Sequence, residues 1–167
     1  MADHGSGAVY NRMLVALDGS ELAERVLPHV ESLAEKYGAT VTLLRAVTSA
    51  AAILSAEAVA LTGPVPPPII DPEPIVEAER RDAQDYLESV AGRLRARGLE
   101  VECVVPEGDP ADAIVEQARE HGADLIAMTT HGHTGLGRVL LGGVADAVVR
   151  RSDCPVLLVR VREDESR

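Results

Sequence analysis

The chain has 167 residues, 46% of them hydrophobic, enough for one sizeable core and too few for two ordinary domains. Its formal charge of −11 repels polyanions and acidic membrane surfaces, so neither nucleic acid nor a membrane is an expected partner. With no Trp, no Phe and three scattered Tyr, it offers no aromatic platform for stacking bases; aliphatic groups would have to hold any bound base.

Residues 1–10 read as a flexible arm lacking the basic and apolar regions of a signal peptide, which makes a cytoplasmic location the expectation. Residues 13–17 (MLVAL) and 41–47 (VTLLRAV) are mainly apolar, as strands of a parallel sheet buried on both faces are. Between them Leu22, Val26, Val30, Leu33, Ala34 and Tyr37 recur at helical spacing, and Gly38 supplies a left-handed stop. Asp18 stands where it can cap this helix, with Glu21 three residues on as in a capping box, and Ser20 reads as a helix-start residue.

Residues 48–74 break the rhythm. Residues 50–61 can form a short helix, and the GPVPPPIIDPEP run after it favours an extended path that no membrane-spanning helix could follow. So long a connection is expected to cross the surface, with a lid over a ligand as the alternative. Ala83, Leu87, Val90 and Leu94 then form a second helical stripe, ending near Gly98 before a strand at 101–105. Asp109 is placed to cap a third helix, Pro110 fits its first turn, Ile114, Val115 and Ala118 line its inner face, and Gly122 ends it. Strands at 125–128 and 156–161 follow, separated by a helix beginning close to Gly143, and 162–167 is a charged tail. Cys103 and Cys154 belong to no CxxC or Cys/His cluster and read as small buried hydrophobes. The pattern predicts a doubly wound α/β fold, a parallel sheet with helices on both faces, within a single domain at 11–161.

In such a sheet ligands bind beyond the carboxyl ends of the strands. That places the candidates at Asp18, Gly19 and Ser20, at Ala46 and Val47, and at Thr129, Thr130, His131, Gly132, His133, Thr134 and Gly135. The last group opens the segment THGHTGLGRVLLGGVADAVVRR, where glycines and a helix amino end could present backbone N–H groups to phosphate without a lysine. It is not a Walker A loop, because Arg138 and Val139 stand where lysine and a hydroxyl are required. Nor is it a dinucleotide fingerprint, since Leu140 holds the third glycine position. By composition alone these glycines could equally form a tight structural loop. His131 and His133 lack the further ligands a metal site needs, and Arg138 is read as a surface residue.

The chain resembles the universal stress protein family over nearly its whole length. The resemblance rests on MLVALDGSELAERVL, GDPADAIVEQAREHGADLIAM and CPVLLV, in order, and on a nucleotide signature of Gly, two residues, Gly, nine residues, then Gly followed by Ser or Thr. Here Gly132 and Gly142 match that signature, Thr129 replaces its first glycine, and Gly143 its final hydroxyl residue. The resemblance implies a sheet order of 3-2-1-4-5 and a homodimer, and the apolar run at 155–161, expected at a sheet edge, invites pairing with a second copy there. It also implies an adenine nucleotide, ATP or AMP with or without Mg²⁺, as ligand.

By the same resemblance Ala16, Leu17, Asp18 and Ala46 would face the adenosine. Thr129, Thr130, His131, Gly132, His133, Thr134 and Gly135, with Gly143, Val144 and Ala145, would line the phosphate side, and Met128 and Gly142 would complete the nucleotide-binding set. No catalytic base follows from the sequence; at most Asp18 could hold Mg²⁺ for slow ATP hydrolysis. The alternative is an interaction module that acts through its dimer surface and binds no nucleotide.

Overall fold

The computed structural model describes residues 10–60, 71–131 and 142–161. Its frame is a five-stranded parallel sheet of β1 (Arg12–Ala16), β2 (Thr40–Leu44), β3 (Val101–Val104), β4 (Leu125–His131) and β5 (Val156–Val161), in the order β3-β2-β1-β4-β5. The α-helices among the described residues are α1 (Leu27–Tyr37), α2 (Ala50–Ala60), α3 (Glu73–Arg95), α4 (Pro110–Glu120) and α5 (Gly143–Arg151).

Because successive strand residues point to opposite faces, the sheet feeds two cores. Met13, Val15, Val41, Leu43 and Ala127 pack with Val30 of α1 and Leu87, Val90 and Leu94 of α3. Leu14, Leu44, Ile126 and Met128 pack with Ile114 and Val115 of α4 and Ala145 and Val148 of α5. α1 and α3 therefore cover one face of the sheet and α4 and α5 the other, and the near-continuous apolar strands reflect burial on both sides.

The helix ends follow the expected chemistry. Gly38 and Gly122 adopt positive φ (66° and 60°), a conformation that releases the chain from α1 and α4 into the next strand. The Asp109 carboxylate accepts from the Ala111 and Asp112 amides, each at 3.0 Å, and Pro110 occupies the first turn. Asp109→Ala should lower stability by about 1 kcal/mol without changing the fold, measurable by urea denaturation.

Four expectations need correction. The chain enters α1 through a 3₁₀ turn, Ala23–Val26, so no capping box forms at Asp18 and Glu21. Instead the Ser20 amide donates to Asp18 Oδ1 (2.8 Å), and Ser20 Oγ accepts from the Ala23 amide (3.1 Å). The second strand ends at Leu44, leaving Ala46 beyond it and Val47 in an isolated bridge to Glu107. The fourth strand runs on to His131, because Thr129, Thr130 and His131 pair with Val159, Arg160 and Val161 of β5. Cys103 and Cys154 are half-buried rather than buried; both are free thiols, and burial pushes that of Cys103 up to about 11.

α2 confirms the short helix expected after residue 50, and α3 starts at Glu73, where the long connection was expected to end. α3 and the turn after it are laced to the α1 side by ion pairs of Arg93 with Glu24 (2.6 Å) and of Arg97 with Glu35 (3.1 Å) and Glu31. These lie near the surface and contribute little beside the apolar contacts beneath them.

Candidate functional site

A cavity of about 380 Å³ opens at the carboxyl ends of β1, β2 and β4. It lies between β1 and β4, where the strand order reverses; an open α/β sheet places its ligand crevice at that switch point. One wall is built by Ala16, Leu17 and Asp18, another by Leu44, Arg45 and Ala46, and a third by Met128, Thr129 and Thr130. Gly142, Gly143, Val144 and Ala145 close it from the first turn of α5.

The structure thus brings eleven of the expected residues to one place: Ala16, Leu17, Asp18, Ala46, Met128, Thr129, Thr130, Gly142, Gly143, Val144 and Ala145. His131 ends β4, while Gly132, His133, Thr134, Gly135 and Arg138 lie outside the described residues. Five lining residues were not expected: Ala23, Leu44, Arg45, Pro110 and Ile114. Leu44, Pro110 and Ile114 had been read only for their structural roles. Arg45 left a signal, a charge inside the otherwise apolar VTLLRAV run.

The chemistry differs from one end of the cavity to the other. At the α5 end intrahelical bonding begins with the Asp146 amide donating to the Gly142 carbonyl, so the amides of the first turn remain available to an acceptor. Gly142 contributes no side-chain cap, and the Asp146 carboxylate is paired with Arg150 at 3.0 Å. Thr130 is only 6% exposed, and its hydroxyl, buried in this wall, has no hydrogen-bond partner among the described residues. A buried hydroxyl left without a partner costs about 1–3 kcal/mol, which a ligand acceptor would relieve.

At the β2 end the lining is aliphatic except for Asp18 and Arg45, the charged lining side chains among the described residues. The Arg45 guanidinium carbon lies 5.5 Å from the Tyr86 ring centroid, and Nη1 lies 3.4 Å from Asp82. Burial first, then the Glu24 and Asp18 carboxylates, push the Tyr86 phenol well above its usual range, while Arg45 draws it down. Among the described residues no cluster of three His, Cys, Asp or Glu side chains could hold a metal, and no helix is long and apolar enough to cross a membrane.

Sheet order, two-sided helical cover and a crevice at the switch point define an open, doubly wound α/β protein with a built ligand cavity. The chain belongs to the universal stress protein family, whose model matches residues 9–160. It is 32% identical over 156 residues to the universal stress protein YxiE of Bacillus subtilis, covering 91% of this chain and 100% of that protein.

Among solved structures it is similar to the hypothetical protein MJ0577 of Methanocaldococcus jannaschii, with a TM-score of 0.73 and 27% identity over 94% of this chain and all of that one. It is also similar to a universal stress protein solved in complex with cAMP, with a TM-score of 0.62 and 25% identity over 92% of this chain and 98% of that one.

Proposed function

We propose that the cavity binds an adenine nucleotide, with the phosphate against the amino end of α5 and the base toward Ala46, and that occupancy alters how the protein engages partners in a stress response. The observation that carries this reading is the Thr130 hydroxyl, buried without a partner among the described residues in a wall of the same cavity that the first turn of α5 closes. A helix amino end and an unsatisfied donor within the walls of one cavity suit a phosphate oxygen. The complex of a related universal stress protein with cAMP supports adenine as the base. Either ATP or AMP fits this reading, and Asp18 is the lining carboxylate that Mg²⁺ would meet.

Titration calorimetry of nucleotide-free protein with ATP, AMP and cAMP, with and without Mg²⁺, tests it. Saturable heat with at least one of them is expected. Silence with all three would overturn the proposal and leave the interaction-module reading. Gly143 lacks the family's hydroxyl, yet a Cβ built there meets nothing within 4 Å among the described residues, which leaves room for the Cβ of Gly143→Ser. That variant should tighten nucleotide binding several-fold, a hydrogen bond to a charged acceptor being worth about 1.5–3 kcal/mol before any ordering cost.

The same reading makes the protein a homodimer through β5. In the five-stranded order β5 pairs with β4 on one side and ends the sheet on the other, with Val156, Leu157, Leu158 and Val159 half-buried. An apolar edge strand of this kind favours pairing with a second copy. Sedimentation at micromolar concentration should give a dimer, and a monomer there would count against the edge contact.

A further inference from the structure

Arg45 departs from the aliphatic character of its wall, and its surroundings give it a definite task. A Cβ built on Gly19 would lie 3.0, 3.1 and 3.3 Å from its Cζ, Nη1 and Nη2. Three nearly equal distances mean that the guanidinium plane lies face-on across the backbone of Gly19. Gly19 has φ of +87°, a conformation that favours glycine, and the missing side chain leaves the space that the guanidinium fills.

Arg45 is held from behind, over the Tyr86 ring and near Asp82, both on α3. Its side chain is 24% exposed, so the ring contact forms in partly desolvated surroundings. The covered turn is the one that aims Asp18, whose carboxylate accepts the Ser20 amide at 2.8 Å.

We propose that Arg45 is a positioning residue: by lying flat on Gly19 it fixes the turn at residues 18–20 as a wall of the cavity, and thereby sets how well Asp18 holds the ligand. This rests on reading the cavity as a nucleotide site, but its first consequence needs no ligand. The Ser20 amide is protected only while the turn keeps its shape. A lysine in place of Arg45 keeps the charge and loses the flat face.

The test combines amide exchange of ligand-free protein with nucleotide titration of wild type, Arg45→Ala, Arg45→Lys, Asp18→Ala and the Asp18→Ala/Arg45→Ala double variant. Ser20 exchange should quicken about tenfold in Arg45→Ala and to a lesser extent in Arg45→Lys, within the range of couplings between contacting groups, while core amides of β1 keep wild-type rates.

AMP affinity should fall by about the same factor in Arg45→Ala, and that loss should vanish in the Asp18→Ala background. Unchanged Ser20 exchange, or an equal affinity loss with and without Asp18, would overturn the role. If wild type bound no nucleotide, the nucleotide reading would fail, and the Ser20 rates alone would decide for or against Arg45. Should Arg45→Ala not fold, Arg45→Lys carries the same comparison.

Discussion

Thr130→Val should stabilise the ligand-free protein while weakening nucleotide binding. The two side chains have nearly the same shape and the same β-branching, so the paired β4 backbone and the packing around Thr130 persist. What changes is the hydroxyl, buried and unpartnered among the described residues. Removing it relieves an unsatisfied polar group, a gain of about 1 kcal/mol, or roughly 2–4 °C in melting temperature for a chain of this size. With a phosphate in place the same hydroxyl becomes a donor to an anion, and its loss should cost about 1.5–3 kcal/mol, roughly tenfold to a hundredfold in Kd. Thermal melts with and without AMP read both effects in one experiment. Effects of the same sign would show that Thr130 serves packing alone.

Leu87→Ala should be the most damaging single truncation for the fold. Leu87 is 0% exposed in the middle of α3, within the core that holds Val15, Val41 and Leu43 of the sheet. Replacing a fully buried leucine leaves a cavity that neighbours only partly fill, a cost of about 2.7–5 kcal/mol against total stabilities of about 5–15 kcal/mol. Leu54→Ala on α2 is the control: with the side chain 48% exposed, it should shift stability by no more than about 0.5 kcal/mol. Urea denaturation midpoints for the two variants should therefore separate widely. Similar midpoints would mean that α3 is not seated on the sheet as described.

Much of this architecture could be read from local chemistry. Gly38, Asp109 with Pro110, and Gly122 act through their own backbone or their immediate neighbours, so the helix ends they mark were legible in one dimension. The rule that ligands sit at strand carboxyl ends then led to Asp18 and Ala46, and the family resemblance added Ala16 and Leu17. What the sequence hid depends on partners distant along the chain. Thr129, Thr130 and His131 preface a glycine-rich run and look like loop, yet β5, nearly thirty residues on, pairs with each of them. The 3₁₀ entry to α1 moved the capping role from Asp18 to Ser20, a shift of register that apolar spacing cannot signal. Arg45 was visible as a charge in a strand, but its contacts with Gly19 and Tyr86 exist only once β1, β2 and α3 are assembled.

The position of the cavity at the β1–β4 boundary has a mechanical consequence. Residues 16–18 and 44–46 belong to the first half of the chain and residues 128–130 and 142–145 to the second, and they meet at the cavity where β1 runs against β4. A molecule seated there is a cross-strut, touching both halves and present only when both are folded. Its concentration then becomes a reservoir of rigidity: at a hundred times Kd it adds about 2.7 kcal/mol to the whole fold. Cellular nucleotide levels would in that case set the lifetime of the protein as well as its occupancy.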